Sequence, residues 1–207
     1  MRFPVVALCL LFSVSAWAIS YQEIKSAYEA SYIYEKEGKF DKAREALSPV
    51  YKAFPNGYTV NLRLGWLFYR EGRYKNAVFH YQKALKVVPT SVEALLGLTL
   101  VYMAKKDWAM VESVCYKILK IDYYNYYGNL RLSVAYRNRR LFTKSEAVAR
   151  KMLALYPTDV NFLLELAFSL EGEGRLKAAL SIYKDVLILD PLNPAARERV
   201  KVIAGKK

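Results

Sequence analysis

The sequence predicts an all-α solenoid: five helix–turn–helix units, each of about 34 residues, followed by a C-terminal capping helix. Three observations carry this. Pro55, Pro89, Tyr123, Pro157 and Pro191 follow one another at one unchanging interval. Windows starting at Ile24, Tyr58, Val92, Tyr126 and Val160 align without insertion or deletion. Small and large side chains recur at fixed places in each window. A hairpin of this size cannot bury its apolar face alone and must stack on copies of itself. Such an architecture implies an elongated binding surface rather than a catalytic pocket.

The chain begins with a different kind of segment. Residues 1–18 read as a cleavable secretory signal peptide: Arg2, an apolar run from Phe3 to Ala16, then Ala16-Trp17-Ala18 before Ile19. The run is short for a membrane span. Residues 19–23 are a lead-in, and the repeats occupy 24–57, 58–91, 92–125, 126–159 and 160–193. Each should hold two helices of about 12 residues. The eighth position is small (Ser31, Gly65, Thr99, Ser133, Ala167), and so, mostly, is the twentieth (Ala43, Ala77, Val111, Ser145, Ala179). Those places let two antiparallel helices approach closely. Large residues at the eleventh, seventeenth and twenty-fourth positions fill the space beside the crossing.

Gly38, Gly72 and Gly174 stand between helices, where a left-handed residue ends the first one. The proline near position 32 stops the second. Thr90 with Glu93 reads as a capping box, and Asn193 before Pro194 as an N-cap. Residues 194–207 are a capping helix and tail. Ala196, Val200 and Ile203 should cover the last repeat, while Arg197, Glu198, Arg199 and Lys201 face water.

The run Asn61-Leu62-Arg63-Leu64-Gly65-Trp66-Leu67-Phe68-Tyr69, then Gly72-Arg73-Tyr74-Lys75-Asn76-Ala77, Tyr81-Gln82-Lys83-Ala84-Leu85 and Pro89, resembles a tetratricopeptide repeat. The resemblance covers residues 24–193. It departs from the family in the third and fourth units, where Lys106 and Arg140 replace the turn glycine and Tyr123 the proline. It implies a right-handed superhelix whose first helices line a concave groove. It also implies protein binding without catalysis, cofactor or metal.

By that resemblance the groove side chains are Tyr28 and Tyr32 in the first unit, and Leu62, Trp66 and Tyr69 in the second. Leu96, Leu100 and Met103 follow in the third, Val134 and Arg137 in the fourth, and Phe168 in the fifth. Arg63, Arg70 and Arg131 stand at the edge as anchors for an acidic group. The wall is aromatic and apolar, suited to an extended peptide or amphipathic helix. Neighbouring first helices also touch through these positions, so some side chains serve only to join repeats. Burial against a second copy is another use for the same face. The basic clamp by which some family members hold acidic chaperone tails is not matched: Tyr28, Tyr32, Trp66, Glu93 and Gly97 stand in its places.

The formal charge is +13, and loss of Arg2 with the leader would make it +12. Such a charge attracts acidic proteins, anionic lipid or wall polymers, or simply solvates the outer helices. Export makes nucleic acid an unsuitable partner and places the chain in the bacterial periplasm or outside the cell. Cys9 goes with the leader, leaving Cys115 as a single core thiol. His80 reads as a surface or groove-edge residue. Tyr123, Tyr124, Tyr126 and Tyr127 read as filling of an altered turn. No Cys/His pair, zinc motif, phosphate loop or carboxylate pair is present, which argues against an enzyme.

Overall fold

The computed structural model describes residues 19–205, so the leader and the last two lysines lie outside the described residues. Everything described is helix and short turn. The first helices of the five units are α1 (Tyr21–Lys36), α4 (Tyr58–Arg70), α6 (Val92–Ala104), α8 (Tyr126–Asn138) and α10 (Val160–Gly172). The second helices are α2 (Phe40–Ala46) with α3 (Ser48–Ala53), then α5 (Tyr74–Val87), α7 (Trp108–Ile121), α9 (Phe142–Leu153) and α11 (Leu176–Leu189). The capping helix α12 is Pro194–Ala204.

Every residue at the eighth and twentieth positions is buried, as close helix crossing requires. The second helix always begins at the seventeenth position: Phe40, Tyr74, Trp108, Phe142 and Leu176. One apolar core runs from Ala43 to Tyr136 and a second from Ala149 to Ala196. Between them Ser133 and Ser145 take the two small positions of the fourth unit. Their hydroxyls meet at 2.9 Å, and Ser145 also donates to the Ser133 carbonyl at 3.0 Å. The close approach is kept, and both polar groups are satisfied.

Several expectations are corrected. The second helix of the first unit is split at Leu47, because Pro49 lacks an N–H and cannot continue the hydrogen-bond ladder of α2. Helix α1 starts at Tyr21, inside the expected lead-in, since Ser20 and Glu23 form a capping box. The cap of α6 is Ser91, whose Oγ accepts from the Ala94 N–H, and not Thr90. Asn193 caps α12 as expected. There Ala196 is fully buried and Val200 and Ile203 half-buried, but Arg199 turns from solvent to pair with Glu171.

His80 is buried, not at a surface. Its ring leaves α5 and stacks on Phe68 of α4 at 5.2 Å. Asn61 donates to the Pro55 and Gly57 carbonyls at 3.0 and 2.8 Å, which leaves its Oδ1 to accept from His80 Nδ1 at 2.9 Å. The imidazole is therefore held as the Nδ1–H tautomer. Burial and then the charge of Lys83 push its pKa down to about 4. Cys115 is buried as expected, and its thiol is pushed up to about 12 by that burial.

The hairpin turns keep one geometry whether or not glycine is present. Gly38, Gly72 and Gly174 have φ between 73° and 79°, and Lys106 and Arg140 occupy the same place at 56° and 59°. The Lys106 and Arg140 N–H groups still close the turn onto the Met103 and Arg137 carbonyls, each at 2.9 Å. A left-handed non-glycine residue costs roughly 1–2 kcal/mol, partly offset because glycine raises the entropy of the unfolded chain. Lys106→Gly and Arg140→Gly are each expected to stabilise the fold by about 0.5–1 kcal/mol. Urea unfolding with unchanged slope would register this as a higher midpoint.

Candidate interaction face

The first helices of successive units lie side by side, and their junctions follow one rule of spacing. Glu35 of α1 receives Arg63 of α4. Arg137 of α8 donates through both Nε and Nη2 to Glu165 of α10, at 2.9 and 3.1 Å. Glu171 of α10 receives Arg199 of α12, with Nε at 3.0 Å. In each case a side chain at the twelfth position meets one at the sixth of the next first helix, 28 places further along the chain. The sign of the pair is free to reverse.

Glu35 is the hub at one end of the face. Besides Arg63 it accepts from the Trp66 indole Nε1 at 2.6 Å and from Arg70 at 3.3 Å. Burial opposes its ionised form. The Trp66 and Arg63 bonds and the two guanidinium charges outweigh that, and the carboxyl sits below its ordinary range. Glu165 shows the opposite balance. Its burial is deeper, so its pKa is raised despite Arg137.

These bonds sort the predicted side chains. Arg63 is buried and held by Glu35, Ser31 and the Tyr32 ring, 3.8 Å from its guanidinium carbon, so it joins repeats rather than offering a free anchor. Arg137 is likewise held by Glu165 and lies 4.8 Å over Phe168. Tyr32 and Arg70 are exposed. Tyr28, Leu62, Trp66, Tyr69, Leu96, Leu100, Met103, Arg131, Val134, Arg137 and Phe168 are half-buried, with an edge left to solvent.

Two adjoining cavities open on this face. The larger, about 570 Å³, is lined by Tyr28, Tyr32, Glu35, Tyr58, Thr59, Leu62, Arg63, Trp66 and Glu93. The smaller, about 190 Å³, is lined by Leu62, Trp66, Tyr81, Glu93, Leu96, Gly97 and Leu100. Gly97 is part of its wall, where the absent side chain lets the Tyr81 ring come close. A Cβ there would run into the Tyr81 ring. A third, about 640 Å³, lies at the far end around Arg137, Phe168, Glu171 and Arg199.

Sequence reasoning missed the Gly97 dent, the role of Tyr58 and the junction pairs. Tyr58 bonds Ser91 at 2.7 Å and reaches Glu93 at 3.5 Å. The charge pairs had a signal: an acid and an arginine recur at one fixed interval at three junctions. The tyrosine cluster also differs from its expected role. Only Tyr126 packs inward, donating to Asp159 at 2.9 Å, while Tyr123, Tyr124 and Tyr127 are each at least half exposed. The turn they flank needs no filling, because Asn129 already bonds the Tyr123 and Asn125 carbonyls at 3.0 and 2.9 Å.

Among the described residues no helix is long and apolar enough to cross a membrane. Residues 28–91 match the family model described as tetratricopeptide repeat. The TPR repeat-containing protein YpiA of Bacillus subtilis (strain 168) is 24% identical over 184 residues, a span of 86% of this chain and 44% of YpiA. The chain therefore covers less than half the length of that relative. Among solved structures, a tetratricopeptide repeat protein from Parabacteroides merdae ATCC 43184 superposes with a TM-score of 0.80 at 18% identity, over 88% of this chain and 72% of that one. MamA 41-end from Desulfovibrio magneticus RS-1 gives 0.74 at 19% identity, over 83% and 97%. At such identities the likeness concerns the fold alone. The match over residues 28–91 and the relative support the tetratricopeptide repeat family for this chain, and its solenoid is the fold of those proteins.

Proposed function

We propose that this chain is a non-catalytic interaction scaffold of the bacterial envelope, binding a peptide or amphipathic helix on the face of its first helices. Tetratricopeptide repeat proteins generally act as such scaffolds. The observation that carries the reading is the pair of adjoining cavities around Leu62 and Trp66, walled by aromatic rings and open to solvent. Half-buried Trp and Tyr give large contact area at small entropic loss, and few such residues dominate binding. The leader-like residues 1–18 suit export.

The test is capture in intact cells through a photo-crosslinker at position 59, an exposed place in the wall of the larger cavity, with Trp66→Ala/Tyr69→Ala as the comparison. Loss of both rings is expected to weaken binding by about 2–4 kcal/mol, roughly thirtyfold or more. The captured proteins should then disappear, and they should fractionate with the envelope. An identical set from the double variant, or cytoplasmic partners only, would defeat the proposal. The double variant must first show an unchanged far-UV spectrum.

A further inference from the structure

The junction rule breaks once in a way that leaves a charge over. Between the third and fourth units the twelfth position is Met103 and the sixth is Arg131, at the same interval as the charged pairs. Among the described residues no carboxylate pairs with the Arg131 guanidinium, which donates only to the Leu96 carbonyl at 2.7 Å and the Thr99 hydroxyl at 2.6 Å. Both are neutral acceptors. The groups around it are the Cys115 thiol and the phenols of Tyr69, Tyr81 and Tyr127, the last with its ring 5.5 Å from the guanidinium carbon, and none of these is a carboxylate. Every other arginine at a sixth or twelfth position on this face has an acid beside it. Burial of a cation without a counter-charge is unfavourable, and an arriving carboxylate relieves it.

Arg131 is also next to the Gly97 dent. Leu96 belongs to both: its carbonyl holds the guanidinium, and it lines the cavity with Trp66, Tyr81 and Leu100. At about 190 Å³ the dent has room for one large apolar side chain. Glu93 in the same wall disfavours a carboxylate inside it, so an acid belongs on the Arg131 side. We propose that the partner segment presents a carboxylate to Arg131 beside an apolar side chain seated in the Gly97 dent. This rests on the reading of the first-helix face as the binding surface. The carboxylate is either that of Asp or Glu within a chain or that of a C-terminal residue.

Random dodecapeptides displayed in two pools, one with free C-termini and one fused at both ends, would be selected on the whole protein and on three variants. Wild type should enrich a carboxylate, from Asp, Glu or a free C-terminus, beside Leu, Met or Phe, with the synthetic carboxylate peptide binding at least about tenfold tighter than its amide counterpart. Arg131→Gln should abolish that preference. Met103→Glu should do the same while keeping the guanidinium, because it restores the junction acid and occupies Arg131 from within. Enrichment confined to the free pool, without selection of Asp or Glu, assigns the main-chain carboxylate, and selection of Asp or Glu in both pools assigns the side chain. If apolar peptides are enriched and then lost in Trp66→Ala/Tyr69→Ala, but neither an acidic residue nor a free C-terminus is preferred, or that preference survives both Arg131→Gln and Met103→Glu, the Arg131 assignment falls and the binding face stands. If neither pool enriches any peptide on wild type, both fall.

Discussion

Tyr81→Ala is expected to destabilise the protein by about 4 kcal/mol, a large share of the roughly 5–15 kcal/mol of an ordinary domain. The ring leaves α5 and passes between two first helices. An ideal Cβ at Gly65 of α4 would stand 2.8 Å from it, and one at Gly97 of α6 closer still. Those two glycines leave the space that the ring fills, so no neighbouring side chain can collapse into the hole. Tyr81 is 2% exposed, and the cavity left would sit on the junction of the second and third units. Tyr81→Phe should be much milder, since the ring remains. Gly97→Ala alone should cost about 1–3 kcal/mol by overpacking against the ring. In the Tyr81→Ala background the same change should be neutral or favourable, because alanine is the better helix former. Urea unfolding of the wild type, the two single variants and the double variant closes a double-mutant cycle. Additive effects would show that ring and glycine do not depend on each other.

Acidification from pH 6.5 to 4 is expected to remove up to about 3 kcal/mol of stability through His80 alone. The folded imidazole titrates near 4 and the unfolded one near 6.5, so between those values the unfolded chain binds more protons. Stability is complete above pH 6.5 and declines as pH falls through the window. Carboxylates contribute in both directions. Glu35, held down by its bonds, also favours the fold at higher pH, whereas Glu165, raised by burial, favours it at lower pH. The histidine contribution is isolated as the difference between wild type and His80→Gln, which keeps a donor for Asn61 and cannot titrate. A wild-type and variant pair with the same slope between pH 6.5 and 4 would show that His80 is not held neutral.

The frame of the molecule is readable because it depends on local rules. Small residues at two fixed places decide where helices cross, and the seventeenth position starts every second helix. Even the turns without glycine keep the left-handed geometry at Lys106 and Arg140, since the stacked helices on either side impose it. The corrections concern residues whose fate depends on a neighbour in another helix. His80 is peripheral by its place in the repeat, yet Asn61 and Phe68 close over it. Arg63 has the place of an anchor, yet Glu35 takes it. Pro49 is a different case: its consequence for α2 is local and legible in the chain itself.

The repeat spacing and the small residues at fixed places therefore determined the solenoid of paired helices, and the family resemblance pointed to the face that the first helices present. A repeat places each side chain on one side of its own helix, and that needs no knowledge of the rest. Stacking chose which of those side chains are consumed at junctions and which stay open. The charge pairs form only when two first helices come into register, and Arg131 is left over because Met103, not an acid, holds the corresponding twelfth position. The dent beside it is equally a product of stacking, formed where the third unit's Gly97 meets the second unit's Tyr81.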